Sequence, residues 1–521
     1  MKAAATTPGT ARHSRQAASL VSALAAVFAG AWVSAALAQG SGISLPIERP
    51  RLEPGIRAIA TWSDNILLAP DGQEESDTLI EVSPYVTAVS TAPRASYSVF
   101  YKLRNFYRVD ASESNLFRHA LNANGSFAMV DDRLWVDLSA YMGAISRSAD
   151  GPILEDPGAS FVNTADVRRF SISPWYRDRL GDLATYQLRY ALAHSESDAD
   201  FDVARIDHRA SFAFDGLQRG ISPWNWRLYG DFQRREFETD IESDRRTAGA
   251  MLFYRVGPQL RVHGAIEYEQ IDEVVDSDGD NSGYGPGAGF EWTPSSRANV
   301  SATVSRRYYG TVGDARATYS TRSSTAGLHF SRQVRTSSDT SLILLDPAAL
   351  TSGVAAANTV LPDLIAGGIV PPTSTALTQG LFTDEALFER RLTGFWGLRG
   401  ARNSLTFTGY ISNRDSRDSS GSAAAGDAFA GELRERGLFA NYLHRLDGRS
   451  SINVVLGRRK NTSSTAGFET RLTTLRATYV MQLTSDTAAF FGARRAEQDG
   501  SGGGSSFDET AVFAGVDVRF H

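Results

Sequence analysis

Seven arginines, Arg169, Arg177, Arg189, Arg205, Arg209, Arg227 and Arg235, fall at even spacings along neighbouring segments between residues 164 and 238, and only Asp207 and Asp231 oppose them in the same register. A guanidinium carries a planar fork of N–H donors that fits carboxylate, phosphate or sulfate oxygens in pairs. Gathered on one wall, these groups would raise the local concentration of anions. The same residues also suit structural charge ladders, with acidic partners drawn from other segments, including Glu267 and Glu269.

Asp276, Asp278 and Asp280 alternate around Ser277 and Gly279, a spacing that lets hard oxygen ligands converge on calcium. No glutamate follows at the EF-hand distance, so the helix-loop-helix version is excluded. The readings left are a loop-bound calcium and a solvated acidic loop that meets divalent ions at a lipopolysaccharide surface. His194, Glu196, Asp198, Asp200 and Asp202 crowd one imidazole and four carboxylates into another loop, again as a shared metal site or as a solvated acidic segment. His208 shares a register with Ile206, Ala210 and Phe212, which suits an interfacial aromatic-belt position. The chain has no Gly-x-Ser-x-Gly elbow, no His-Glu-x-x-His and no carboxylate pair set apart from the scatter. It is read as a non-enzyme with no cofactor beyond that loop calcium.

The elements that position these residues show a two-residue rhythm. Leu134, Val136, Leu138, Ala140, Met142 and Ala144 alternate with Asp137, Ser139, Tyr141 and Gly143. Ala184, Tyr186, Leu188, Tyr190 and Leu192 alternate with Thr185, Gln187 and Arg189. Period two means strand, with one apolar and one polar face. Many segments run to about twelve residues or more, whereas a tilted strand needs roughly nine to eleven to cross a bilayer. In lipid every backbone group needs a partner, so such strands must close into a barrel.

Tight links at Asp131-Asp132, Gly257-Pro258 and Thr293-Pro294-Ser295 alternate with longer polar loops at Ser148 to Asn163, Asp272 to Ser282, Ser416 to Asp427 and Gln498 to Ser506. That is the pattern of short periplasmic turns and long extracellular loops. The prediction is a single transmembrane antiparallel β-barrel of about 22 strands, within a range of roughly 16 to 22. It opens with 55-68, carries the arginines on 164-178, 182-196, 203-216 and 222-238, continues through 283-294, 297-311, 318-335, 340-346 and 385-399, and ends with 507-521. The short member 340-346 is retained because its loss would make the count odd. A barrel this wide either conducts or is plugged.

Before the rhythm starts, Arg12, His13 and Arg15 precede an apolar stretch from Ala17 to Ala38 that closes on Ala36-Leu37-Ala38. The small-residue end reads as a signal peptide over 1-38, and the competing reading is a membrane-anchoring helix. Residues 39-51 then form a short periplasmic segment and 52-521 the barrel. With no cysteine and a formal charge of -6, the chain offers neither disulfides nor thiolate sites, and no basic stripe invites nucleic acid. At the other end Val512, Ala514, Val516, Val518 and Phe520 alternate up to an aromatic residue. Val516, Val518 and Phe520 resemble the C-terminal recognition strand read by the barrel-assembly machinery, although His521 follows where the aromatic is usually last.

Trp62-Ser63-Asp64-Asn65-Ile66, the polar loop Asp71-Gly72-Gln73-Glu74-Glu75-Ser76-Asp77 and the return Glu81-Val82-Ser83-Pro84-Tyr85 resemble the β-barrel porin family of Gram-negative bacteria, which includes relatives associated with exopolysaccharide and protein-sorting gene clusters. The resemblance covers residues 56 to 108 and supplies no catalytic residues. It implies a Gram-negative outer-membrane barrel in contact with lipid and lipopolysaccharide, linked to surface polysaccharide export and its components. The function expected is a channel for polar solutes, associated with exopolysaccharide export, and the alternative is a non-conducting structural or adhesive barrel acting through its outer loops. One stretch departs from the rhythm: Pro347 to Gln379 is rich in Ala, Thr, Pro and Leu with Asp363 as its one charge. Its readings are a constriction folded into the mouth, a cover for a partner interface, or variable filler.

Overall fold

The computed structural model describes residues 51 to 520 except 111–114, 131, 154–159, 199–203, 218–221, 239–241, 273–278, 337–340, 344–376, 380–385, 417–431 and 465–466. Alternation is realised as a single closed sheet of twenty-two antiparallel strands. Each barrel strand pairs with its sequence neighbour, and the first, Arg51–Ser63, pairs with the last, Phe507–Arg519. The shortest barrel strand, Ala298–Arg307, has 10 residues and the longest, Thr164–Leu180, has 17, so all of them are long enough to cross a bilayer.

The outward register is apolar and exposed, with Ile266, Leu328, Leu438 and Phe491 near 60% accessible. Surface of that kind facing water would be a large unfavourable patch. Facing hydrocarbon, it is the lipid face of an outer-membrane barrel. Aromatic pairs mark both edges of the band, as interfacial girdles do. Trp224 with Tyr254 and Trp396 with Phe407 lie near the rim of tight turns, and Tyr268 with Tyr284 near the rim of long loops.

The strand count agrees with the prediction through two compensating departures. Residues 340-346 are not a barrel strand: Ser341–Ile343 pairs instead with Leu377–Gln379 in a separate two-stranded sheet. In its place the barrel has Gly310–Ser320, which the sequence reading divided between the end of 297-311, a connection at 312-317 and the start of 318-335. The turn before it, Tyr308-Tyr309, carries no proline or asparagine, and the turn after it is a polar run in which the Thr321 N–H donates to the Ser324 carbonyl at 2.7 Å. A serine- and threonine-rich turn looks like strand when only alternation is counted. Thr293-Pro294-Ser295 also differs from expectation, because it is a bulge at a strand end rather than the turn itself. Proline lacks the N–H that a regular ladder position would need.

The opening strand ends at Ser63, five residues before the expected boundary. Asn65 folds the chain there: its Nδ2 donates to the carbonyls of Ala69 (2.8 Å) and Asp508 (2.9 Å), while its Oδ1 accepts from the Ala69 N–H at 2.8 Å. An asparagine side chain replacing a strand's ladder bonds is a turn device, and it overrides the apolar pair Ile66-Leu67 that extended the rhythm.

Candidate functional site: an inward loop and a charged inner wall

In the connection between Leu134–Ser146 and Thr164–Leu180, read from sequence as a polar outer loop, residues 147 to 153 and 160 to 163 fold into the mouth. Asn163, at φ +50°, closes its base: its Oδ1 accepts from the Ser148 N–H and Oγ–H at 2.9 Å, and its Nδ2 donates to the carbonyls of Ser148 and Pro152. Asparagine is among the few side chains that adopt a left-handed backbone at modest cost.

From that base the loop reaches the inner wall of distant strands. Asn461 and Thr470 donate to the Ala149 carbonyl at 3.3 Å. Gln498, 2% exposed, donates to the Gly151 carbonyl at 3.0 Å, and the Ser505 N–H donates to the Asp150 carbonyl at 2.8 Å. Ile153 is buried with Leu68, Leu472, Ala496 and Phe507, and Ala149 with Leu433 and Phe468. On the return, Arg118 donates to the Ser160 carbonyl at 2.8 Å and Phe161 meets Phe106 edge-on at 6.5 Å. Burying a side chain such as Ile153 contributes about 1.5 to 3 kcal/mol. Hydrogen bonds of this kind add roughly 0.5 to 1.5 kcal/mol each. Together these contacts hold the loop's described ends in place.

Chain length turns these contacts into a statement about shape. A circular ring of twenty-two strands, spaced about 4.8 Å apart and tilted about 40°, is roughly 44 Å across. Thr487–Ser501, which carries Gln498, lies six strands from Leu134–Ser146 through the closing pair, a chord of about 30 Å in such a ring. Five residues from Ser146 to Gly151 extend at most about 18 Å. The loop rim is therefore pinched, and the mouth is divided into a small lobe packed with Ile66, Leu68, Phe106 and Phe161 and a larger lobe bounded by the remaining strands.

The arginine-bearing strands line the larger lobe. Strand register places all seven predicted arginines on the inner face, as their pairing with Trp135, Asp137 and Tyr141 of the preceding strands requires. The acidic partners are not those expected. Glu267 meets Arg307 at 3.1 Å and accepts from Tyr229, while Glu269 meets Arg245 at 2.7 Å and accepts from Tyr309 at 2.8 Å. Five of the seven find partners within their own arc: Arg189 with Asp137 (2.9 Å), Arg205 and Arg235 with Asp207 (3.2 Å each), Arg209 with Asp231 (2.6 Å) and Arg227 with Asp215 (3.6 Å). Asp137 and Asp215 were missed by the sequence reading, although counting parity through 205, 207, 209 and 215 would have found the second. Four carboxylates thus pair with five of the seven guanidiniums. Near the loop rim Arg205, Arg235 and Asp207 are buried, whereas deeper in the wall the Arg209 side chain is 59% and Arg227 45% accessible.

Asp276 and Asp278 of the expected calcium loop lie outside the described residues, as do Asp200 and Asp202. His194 approaches Glu196 at 3.4 Å. His208 faces outward, its Nδ1 2.8 Å from the Tyr190 hydroxyl. Of Pro347 to Gln379, the stretch expected to constrict the mouth, only Leu377–Gln379 is described. Val516 and Val518 stand opposite Ala58 and Ile56 in the closing pair, and Phe520 is half exposed beyond the strand end.

No protein-family model matches the chain, and no curated protein matches it in sequence. Among solved structures it is similar to a mutant of the ferric enterobactin receptor PfeA of Pseudomonas aeruginosa, at 8% identity and TM-score 0.47 over 90% of this chain and 80% of that one. It is similar to the siderophore receptor PirA of Acinetobacter baumannii at 10% identity and TM-score 0.46, over 90% and 80% of the two chains. A third likeness is the FrpB iron transporter of Neisseria meningitidis, at 10% identity and TM-score 0.47, over 90% and 81%. None of these is from the porin family that residues 56 to 108 resemble. On its own geometry the chain is a twenty-two-strand outer-membrane β-barrel whose mouth is pinched by an inward loop.

Proposed function

We propose that the protein is a channel for polar solutes, passing them through the larger lobe of the lumen and performing no catalysis of its own. The observation that carries this reading is the inward placement of residues 147 to 153 and 160 to 163, which occupy one side of the mouth and leave the arginine–aspartate wall on the other. Accessible Arg209 and Arg227 beside Asp231 and Asp215 form a wall suited to water and hydroxyl-rich solutes, with a surplus of guanidinium that favours anionic ones. Polar glycan is the proposed cargo class, and its association with exopolysaccharide export rests on the resemblance at residues 56 to 108 alone. Assembly through Val516, Val518 and Phe520 belongs to the same proposal.

Liposome swelling with neutral oligosaccharides of increasing size tests it. Small sugars should enter, larger ones should be excluded, and removing residues 149 to 162 should raise the size limit. Liposomes impermeable with and without the loop would overturn the channel reading in favour of a structural barrel acting through its outer loops.

A further inference from the structure

A second feature lies on the outside of the barrel. In Glu432–Arg445 the inward register holds Leu433 and Glu435, both buried, so Arg434, Arg436 and Leu438 face out. Pairing then lines up Arg436 with Lys460 and Lys460 with Arg471 in one row, and Leu438 with Arg458 in the row below. Four cations therefore stand on the lipid face of three adjacent strands, within a few residues of their loop-rim ends at Glu432, Ser463 and Glu469.

Charge on a lipid face is costly at the bilayer midplane and nearly free at the interface, so these residues fix where the headgroups lie. The apolar band begins directly beneath them with Leu438, Leu456 and Leu475, each about half exposed or more. Arg436, Arg458, Lys460 and Arg471 also line one groove whose floor is Leu328, Leu392 and Ile411. Glu469 is the one carboxylate shared among them, at 2.7 Å from Lys460 and 3.3 Å from Arg471, and Asp499 and Glu497 bound the patch on the next strand. Arg436 and Arg458 are exposed and have no ion pair or hydrogen bond among the described residues. Some outward cations elsewhere at this rim are matched, Arg168 with Glu196 at 2.8 Å and Arg234 and Arg246 with Asp244 at 3.0 Å. Arg306 and Arg390, also exposed, have no ion pair among the described residues, but they stand on other strands and do not line this groove.

We infer that this patch is a docking site for a phosphorylated, acylated glycolipid of the outer leaflet, with Arg436 and Arg458 binding phosphate and the groove taking acyl chain. The occupant follows from charge complementarity at headgroup depth combined with an apolar floor that continues into the bilayer. A soluble anion would use the cations and leave the floor bare. A neutral lipid would do the reverse.

The test is binding of diphosphoryl lipid A to the full-length protein in neutral detergent, with dephosphorylated lipid A and inorganic phosphate as the other probes. At the energy typical of one basic residue near an anionic surface, Arg436→Gln/Arg458→Gln should weaken lipid A binding about thirtyfold. Arg168→Gln/Arg246→Gln should leave it unchanged. Dephosphorylated lipid A should bind poorly to the wild-type chain, and inorganic phosphate should not compete at equal concentration. Equal binding of the dephosphorylated lipid, full competition by phosphate, or wild-type affinity in the folded Arg436/Arg458 variant would each overturn the site. The wild-type comparisons decide it even if that variant fails to regain the heat-modifiable gel mobility of a folded barrel.

Discussion

Two arcs of this wall share strand length, pairing and parity, yet their inner faces answer to different neighbours. Around the closing pair, the inward positions nearest the loop rim include Leu79, Phe106, Leu433, Leu472 and Phe507, interspersed with Asn461, Thr470 and Gln498. Apolar groups there bury loop side chains, and the amides and hydroxyl satisfy loop carbonyls, since a buried polar backbone must be paired. Across strands 164 to 238 the same register holds Arg and Asp, which lie in buried clusters at the rim and in accessible pairs further down. The inward register therefore reports what it touches. Where the loop rests, amide and hydrocarbon are added to paired charge that both arcs carry, as Arg108 with Asp77 at 2.7 Å and Arg494 with Glu509 at 2.7 Å show in the closing arc.

The largest expected effect comes from removing what separates the two arcs. Replacing residues 149 to 162 with a short turn should raise single-channel conductance about twofold, because conductance follows the open cross-section of a wide barrel. An unchanged value would mean that the loop does not narrow the conducting path. Next in size is the buried part of the charged arc. Asp207→Asn strips the shared partner from Arg205 and Arg235 and should cost about 3 to 5 kcal/mol in urea unfolding monitored by gel mobility. A small loss there would mean that those guanidiniums are solvated.

Charge accounting gives the third expectation. With four carboxylates facing seven guanidiniums, the triple change Asp137→Asn, Asp215→Asn and Asp231→Asn should move the reversal potential in a salt gradient toward anions. No movement would place the ion path away from this arc. The smallest effect belongs to Asp231→Asn alone, whose Arg209 partner is mostly accessible, so it should change stability by about 0 to 1 kcal/mol. A loss as large as that at Asp207 would erase the distinction between buried and accessible pairs.

Much of the barrel is legible in sequence because period two forces the choice of face, residue by residue. The arginines face inward for the same reason that Leu188 and Leu228 face lipid. What alternation cannot show is where both faces are covered. Leu472 and Phe507 occupy the register expected to be wet, and their appearance close to a loop end is the signal that something packs there. Ile153 and Phe161 gave the complementary hint inside a loop otherwise rich in Gly, Ser and Asp. Partners across the ring, such as Gln498 with Gly151 at a separation of 347 residues, depend on closure and pinching that local pattern does not encode. Turns made from serine and threonine, as at Thr321 to Ser324, escape the rhythm because the same residues sit comfortably in strands.

The central claim, that residues 147 to 153 rest against the far wall of the mouth, is tested most directly by tethering them there. The chain contains no cysteine, so Asp150→Cys/Ser505→Cys introduces one defined pair at a point where the two backbones are hydrogen-bonded at 2.8 Å. Such proximity suits a disulfide. The pair should cross-link fully on mild oxidation, and single-channel conductance should be the same before and after reduction. Failure to cross-link, or a conductance that drops when the bond forms, would show that the loop ordinarily lies elsewhere.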